Sequence, residues 1–139
     1  MANRQGFTII EVLVAVFLLS IALAVPLTEV FVRTNLQVRH MQIALAQEKD
    51  LLEHIRSLNY NSPYLVDDGD TTDLDDKTTP DYFVGSANIK GIKVTRFYNV
   101  ANDVPSPGLK TIKVFIVWED RRTKKTHELS AITIKNPRW

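Results

Sequence analysis

The chain has 139 residues and a mass of 15.8 kDa, which allows one domain with an accessory segment but not two full globular domains. It contains no cysteine, so disulfides, thiolate metal sites and cysteine nucleophiles are excluded. Lys and Arg (17) nearly balance Asp and Glu (16), so no overall field favours nucleic acid, and no specific nucleic-acid partner is predicted.

A long apolar segment lies near the N-terminus. Residues 12–28 carry no charge, and all of them except Ser20, Pro26 and Thr28 are apolar. As a helix this segment spans about 25 Å, and adding residues 7–11 makes it long enough to cross a membrane if Glu11 is tolerated. The apolar side chains point all around the helix, which favours burial in lipid or among other helices. We therefore predict a transmembrane or assembly helix over residues 7–28.

Three interpretations fit this N-terminal segment: a secretory signal peptide with Ala22-Leu23-Ala24 as its cleavage site, a plain membrane anchor, and a prepilin-type leader followed by a helix. Glu11 separates them, because a carboxylate in a membrane helix costs about 2.5–3.5 kcal/mol at the bilayer centre and less near its end. In a signal peptide or a plain anchor, the carboxylate would have no function that offsets this cost. If the chain is cut after Gly6, the new α-amino group of Phe7 could pair with Glu11 of a neighbouring copy.

Residues 6–15, GFTIIEVLVA, follow a short basic leader and resemble the processing site of type IV prepilins. That family has Gly before the cut, an aromatic residue or Met after it, and Glu four residues further on. The resemblance implies cleavage between Gly6 and Phe7 by prepilin peptidase, and N-methylation of Phe7. It also implies a single-pass inner-membrane protein with a periplasmic head, which later joins other pilin or pseudopilin subunits in a filament. There, Glu11 facing a neighbouring Phe7 ammonium would set axial register.

Beyond the apolar segment, Pro26 removes one backbone donor and predicts an interruption or kink. Residues 29–58 are predicted to continue the helix as an amphipathic segment. A helix over residues 7–58 would be about 78 Å long, so only its second half can pack on a head formed by residues 59–139. The residues expected to form its apolar stripe are Leu36, Met41, Ala44, Leu45, Leu51, Leu52, Ile55 and Leu58.

An acidic loop is predicted over residues 64–81, where seven aspartates stand against one lysine, Lys77. Its main interpretation is a solvated or partly disordered loop. Calcium ligation through carboxylate oxygens is the alternative, although no EF-hand register is present. No cofactor is predicted. The calcium candidates are Asp67, Asp68, Asp70, Asp73 and Asp75.

The rest of the chain is predicted to be β-structure, with strands over residues 82–84, 89–100, 110–119 and 126–135. Trp118 lies on a regular apolar face and is expected in the core. The predicted fold class is α+β and pilin-like. A long N-terminal helix is transmembrane in its first half and packs in its second half against a small C-terminal antiparallel sheet.

Two further segments refine the resemblance. Residues 114–120 and 127–134 (VFIVWED and HELSAITI) and residues 44–58 (ALAQEKDLLEHIRSL) resemble PilV-type minor pilins and the I-type minor pseudopilin of type II secretion. The resemblance implies a structural minor subunit of a type IV pilus or a type II secretion pseudopilus, with the filament tip as a candidate position. The competing class is a membrane-tethered or secreted extracytoplasmic binding module without a filament role.

No catalytic constellation stands out in the sequence, so no enzymatic activity is predicted. The three histidines, His40, His54 and His127, are expected at the surface or rim. His40 and His54 are separated by about 21 Å along a helix and cannot share a metal. A basic turn is expected to be a solvated hairpin tip, and an alternative hypothesis places it against the acidic loop of an adjacent subunit. Its residues are Arg121, Arg122, Lys124 and Lys125.

Overall fold

The computed structural model describes residues 8–120 and 124–137. The chain divides into two compact units, residues 1–39 and 40–139. The first unit contains the N-terminal part of one long helix, and the second contains the rest of that helix and a four-stranded sheet. This arrangement confirms the predicted α+β, pilin-like fold class.

Helix α1 runs from Ile9 to Ser57 and ends one residue before the predicted Leu58. Pro26 lies inside it, so the predicted interruption of the helix is not observed. A proline removes only one backbone donor, and an apolar helix tolerates that loss. The hydroxyls of Ser20 and Thr28 donate to carbonyls one turn earlier, at 2.8 and 2.7 Å, so these polar groups are satisfied within the helix.

The sheet is an antiparallel meander of β1 (Tyr82–Ile89), β2 (Ile92–Asn102), β3 (Lys110–Glu119) and β4 (Thr126–Lys135), arranged in chain order. The bounds of β3 and β4 agree with the prediction. The predictions for the first two strands were wrong in extent, since β1 continues to Ile89 and β2 begins at Ile92. The hairpin between them turns at Lys90 and Gly91, whose φ angles are both positive (48° and 93°), as a tight two-residue hairpin requires.

One face of the sheet packs against the C-terminal part of α1. The buried helix residues are Ile43, Ala44, Leu51 and Ile55. They form one hydrophobic core with apolar side chains of β2 and β3, among them Ile92, Val94, Val100, Ile112, Val114, Ile116 and Trp118. Leu36, Met41 and Leu45 of the predicted stripe are exposed, whereas Ile43 is buried. The sheet therefore covers the side of α1 that carries Ile43 rather than the side that carries Leu45.

The acidic loop crosses the opposite face of the sheet. Beneath it, the rings of Phe97 and Phe115 stack with centroids 5.0 Å apart, and both side chains are buried. Buried Asn99 donates to the carbonyls of Asp73 and Asp76, at 2.9 and 2.6 Å. Of the loop's seven aspartates, Asp68, Asp70 and Asp75 are exposed, Asp73, Asp76 and Asp81 are half-buried, and Asp67 is buried, so the predicted solvated loop is observed only in part. The loop as a whole, however, is fastened to the sheet, and this attachment was not predicted.

Candidate functional site

The predicted processing site, Gly6 and Phe7, lies outside the described residues. The described chain begins with Thr8, and Thr8 and Glu11 form a reciprocal capping box at the start of α1. The Thr8 backbone N–H donates to Glu11 Oε2 at 2.8 Å, and the Thr8 hydroxyl donates to the same oxygen at 3.0 Å. The Glu11 backbone N–H donates to Thr8 Oγ1 at 3.3 Å. These contacts satisfy backbone donors that a helix start otherwise leaves unpaired.

The capping box changes the interpretation of Glu11. On the sequence alone, the Glu11 carboxylate is uncompensated until a neighbouring Phe7 ammonium reaches it. In the structure, Thr8 of the same chain already supplies two donors to that carboxylate. The signal that could have identified Thr8 is the T-x-x-E spacing immediately before an apolar run. A neighbouring ammonium would therefore meet a carboxylate whose position along the helix is already fixed.

The surroundings of Glu11 are apolar and exposed. By length and composition, α1 is the one helix among the described residues that could cross a membrane. Large apolar side chains are exposed along its N-terminal part, for example Leu13 (64%) and Phe17 (65%). The next charges are Glu29 and Arg33, which form an ion pair of 2.6 Å. So much exposed apolar surface indicates that lipid or other protein covers this segment.

In the acidic loop, the structure brings together a different set of carboxylates from the predicted one. Asp68, Asp73 and Asp81 each place an oxygen within 4.8 Å of the others. Asp81 was not among the calcium candidates. The other three candidates contact other groups: Asp67 accepts from the Asn102 N–H, Asp70 accepts from Thr72, and Asp75 pairs with Lys113.

The electrostatics of this carboxylate group follow from burial and from mutual repulsion. Partial burial, together with the neighbouring carboxylates, raises the pKa of Asp73 and of Asp81 above the ordinary value. The Oδ1 atoms of Asp73 and Asp81 are both buried and have no hydrogen-bond partner among the described residues. Carboxylate oxygens are the ligands that calcium prefers. Calcium ligation stays a prediction, and the structure assembles only Asp68 and Asp73 of the predicted set.

The remaining polar candidates do not converge on one another. His54 is exposed, and His127 stacks on Trp118 with ring centroids 5.5 Å apart. Trp118 is buried, as predicted for a core residue. In the basic turn, Arg121 and Arg122 lie outside the described residues.

Comparison with known proteins adds one finding. A family model described as the prokaryotic N-terminal methylation motif matches residues 1–25. No curated protein and no solved structure matches the chain. The match confirms the resemblance of this segment to a type IV prepilin leader, whereas the PilV-type resemblance of the head is not confirmed. The chain thus carries a prokaryotic N-terminal methylation motif at the start of a long apolar helix, in a pilin-like α+β layout.

Proposed function

We propose that the chain is a structural minor pilin or pseudopilin subunit. Prepilin peptidase would cut it between Gly6 and Phe7, and Phe7 would be methylated. The subunit would then move from the inner membrane, with its head in the periplasm, into a type IV pilus or a type II secretion pseudopilus, with the tip as a candidate position. The observation that carries this proposal is the methylation motif over residues 1–25. Glu11 lies in this motif and is the one charged residue between Arg4 and Glu29.

The proposal divides the chain by task. Residues 1–6 are a leader whose basic Arg4 favours a cytoplasmic N-terminus. Residues 7–28 cross the membrane and later contact other subunits through the same apolar surface. Residues 29–58 continue the helix, and its end carries the head formed by residues 59–139. Removal of the leader leaves 16 basic residues, so the mature side chains are balanced in charge.

Glu11 has two successive roles under this proposal. In the membrane, the Thr8 N–H and hydroxyl stabilise its carboxylate and hold it against the helix start. In the filament, helices of other subunits replace the lipid, and the Phe7 ammonium of a neighbour adds an opposite full charge. A buried ion pair contributes more to register than to stability. Since Thr8 already fixes the carboxylate, only one axial position of the neighbour places the two charges together.

Substitutions at Glu11 test this role. Glu11→Ala is expected to leave membrane insertion and cleavage intact but to impair assembly. Glu11→Gln keeps an oxygen that accepts from Thr8 but removes the charge, so it is expected to impair assembly as well. Ser20→Ala, in the same helix, serves as the matched control and should assemble normally. Sheared filaments and the processed membrane fraction are quantified for each variant; normal assembly of Glu11→Gln would contradict a role for the charge.

The alternative function is an extracytoplasmic binding module held at the membrane or secreted. One feature of the head supports this alternative function. An apolar cavity of about 420 Å³ lies beside the start of β1 and is lined in part by Tyr64, Tyr82 and Phe83. Such concave aromatic surfaces are typical of binding sites. The mature N-terminus separates the two functions, because only the filament subunit requires a chain that begins at Phe7. We propose no enzymatic activity, since the methylation motif indicates a structural subunit.

A further inference from the structure

The two edges of the sheet differ in how well they are protected from pairing with another strand. β4 pairs with β3 without a register break, from Lys110 opposite Lys135 to Glu119 opposite Thr126. Residues 129–134 at its centre contain no charge and no proline. An unprotected edge of this kind is a template for a strand of another chain. The opposite edge, β1, carries one bulge between Phe83 and Gly85, which confines regular pairing there to short stretches.

Both edges present large apolar side chains on the same face of the sheet. Phe83 is directly opposite Phe97, and Phe97 is opposite Phe115, which in turn is opposite Ser130. Side chains two and four residues beyond Ser130 share its face, so Ile132 and Ile134 lie on the face that carries Phe83. These three apolar side chains are more than half exposed, at 63% for Phe83, 58% for Ile132 and 54% for Ile134.

Because the sheet has an even number of strands, its two edge strands can pair with each other in antiparallel fashion between two copies. In an antiparallel meander of four strands, β1 and β4 run in opposite directions. A second copy displaced by translation along the sheet would therefore place its β1 antiparallel to β4 of the first, with the same face outward. Translation keeps the direction of every element, so it suits copies anchored in one membrane whatever the tilt of the head. Two-fold pairing of β4 with β4 suits them only when the axis is parallel to the membrane normal.

Charge complementarity favours the same arrangement. Arg56 is exposed and lines a cavity of about 370 Å³ at the end of β4, together with Ile134 and Asn136. The start of β1 follows the group of three carboxylates formed by Asp68, Asp73 and Asp81. Antiparallel pairing brings the start of β1 of one copy beside the end of β4 of the next. The carboxylates of one copy would then lie at the same end of the paired strands as the guanidinium of the other.

We propose that the heads of neighbouring copies contact one another through unlike sheet edges. β4 of one copy lies beside β1 of the next, and Phe83 packs against Ile132 and Ile134. The proposed function enters this argument only through the common orientation of membrane-anchored copies. The contact requires at least two neighbouring copies, so it also specifies that the chain is present in more than one copy where it assembles.

Pairs of engineered cysteines test the contact, because the chain has no cysteine of its own. Full-length Phe83→Cys is co-expressed in membranes with Ile132→Cys or Ile134→Cys, each carrying a different tag, and mild oxidation follows. Directly opposite residues on antiparallel strands have Cβ atoms about 4.5–5.5 Å apart, close to disulfide geometry. The expected product is a mixed disulfide with one of the two β4 positions, and Lys49→Cys, at an exposed helix position, should form none with Phe83→Cys.

Two results would overturn the proposal: no mixed disulfide, or a disulfide formed only between two copies of Ile132→Cys, which would indicate two-fold pairing. Arg56→Glu in the copy that carries the β4 cysteine should lower the yield of the mixed disulfide several-fold, and Asp68→Lys in the copy that carries Phe83→Cys should restore part of it. Processing and filament yield are measured in the same cells. Filaments without the mixed disulfide contradict only the head contact, whereas an unprocessed chain contradicts the proposed function.

Discussion

Lys110 and Lys135 are directly opposite each other on β3 and β4, and both are buried. Lys135 donates to main-chain carbonyls at the end of α1, and Lys110 donates to a carbonyl of the short 3-10 segment, Pro63–Leu65, that follows it. Lys110 Nζ donates to the Leu65 carbonyl at 2.6 Å and lies 4.7 Å from the centroid of the Tyr60 ring. Lys135 Nζ donates to the carbonyls of Ile55, Arg56 and Leu58. The last residue of β4 therefore closes the C-terminal end of the helix, where unpaired carbonyls and the helix dipole favour a cation.

Lys135→Met tests this closure. Methionine keeps much of the side-chain volume but removes the donor, which leaves buried carbonyls unpaired. We expect the free energy of unfolding of the head to fall by about 2 kcal/mol, measured by denaturant titration of the full-length chain in detergent. Lys93→Met is the matched control, since Lys93 is exposed, and it should change stability by less than about 0.5 kcal/mol. Equal effects of the two substitutions would contradict the closure.

Asn99 is expected to hold the acidic loop on the sheet. Its buried side chain donates to Asp73 and Asp76 and accepts from the Asp81 N–H at 3.2 Å. Asn99→Ala removes all three contacts and should destabilise the head by about 2–3 kcal/mol. The loop should also become the first site of limited proteolysis, which mass spectrometry can locate. Asn61→Ala, at an exposed position, is the control and should leave the cleavage pattern unchanged.

The acidic loop also predicts opposite pH dependences for two aspartates. Partial burial raises the pKa of Asp81, so the folded chain binds that proton more tightly than the unfolded chain. The Asp81 carboxylate therefore lowers stability as the pH rises above its ordinary pKa of 3.8. Asp81→Asn should stabilise the head near neutral pH, and the difference from the wild type should shrink as the pH falls towards that value.

Asp76 provides the control of opposite sign. Hydrogen bonds from Thr78 and Thr79 hold the pKa of its carboxyl well below the ordinary value. Its contribution to stability is present above the ordinary pKa and is lost as the pH falls through the lower, folded-state pKa. Asp76→Asn should therefore destabilise the head near neutral pH. If both asparagine variants shift the unfolding midpoint in the same direction across the titration, the assignment of these two environments is wrong.

The capping box predicts a local effect at the start of α1. Thr8→Val keeps the shape of the side chain but removes the hydroxyl, and loss of an N-cap costs about 1 kcal/mol. Amide hydrogen exchange at residues 9–11 should therefore become faster in the full-length protein in detergent. Thr8→Ser retains the hydroxyl and should preserve the protection. An unchanged exchange rate in Thr8→Val would show that the hydroxyl does not stabilise this end of the helix.

Much of the fold could be predicted from residue periodicity. The alternation of apolar residues in β3 and β4 is regular, and their bounds were predicted correctly. β1 was predicted too short because Gly85, Ser86 and Asn88 are poor strand formers, and pairing with β2 outweighs that local preference. The turn at Lys90 and Gly91 depends on positive φ angles, which the sequence around it does not signal strongly.

The buried polar contacts could not be predicted in this way. Lys110 and Lys135 look like surface residues in the sequence, and their burial depends on carbonyls of Leu65 and of the helix end that only folding brings to them. Asn99 likewise has partners 18 to 26 residues away in the chain. The contact between Glu11 and Thr8, in contrast, could have been predicted, because the two residues are three apart in the T-x-x-E pattern of a capping box. Composition indicated an acidic loop, whereas the partial burial of its aspartates and its attachment to the sheet depend on contacts that form only on folding.

The mature N-terminus tests the central claim most directly. The protein is purified from membranes of cells that contain a prepilin peptidase, and its first residues are determined by Edman degradation and mass spectrometry. We predict a chain that begins at Phe7 with a methylated α-amino group, because the methylation motif covers this site. A chain that begins at Val25 would identify a cleaved secretory protein, and one that retains Met1 would identify a simple anchor. Either result would contradict a filament subunit.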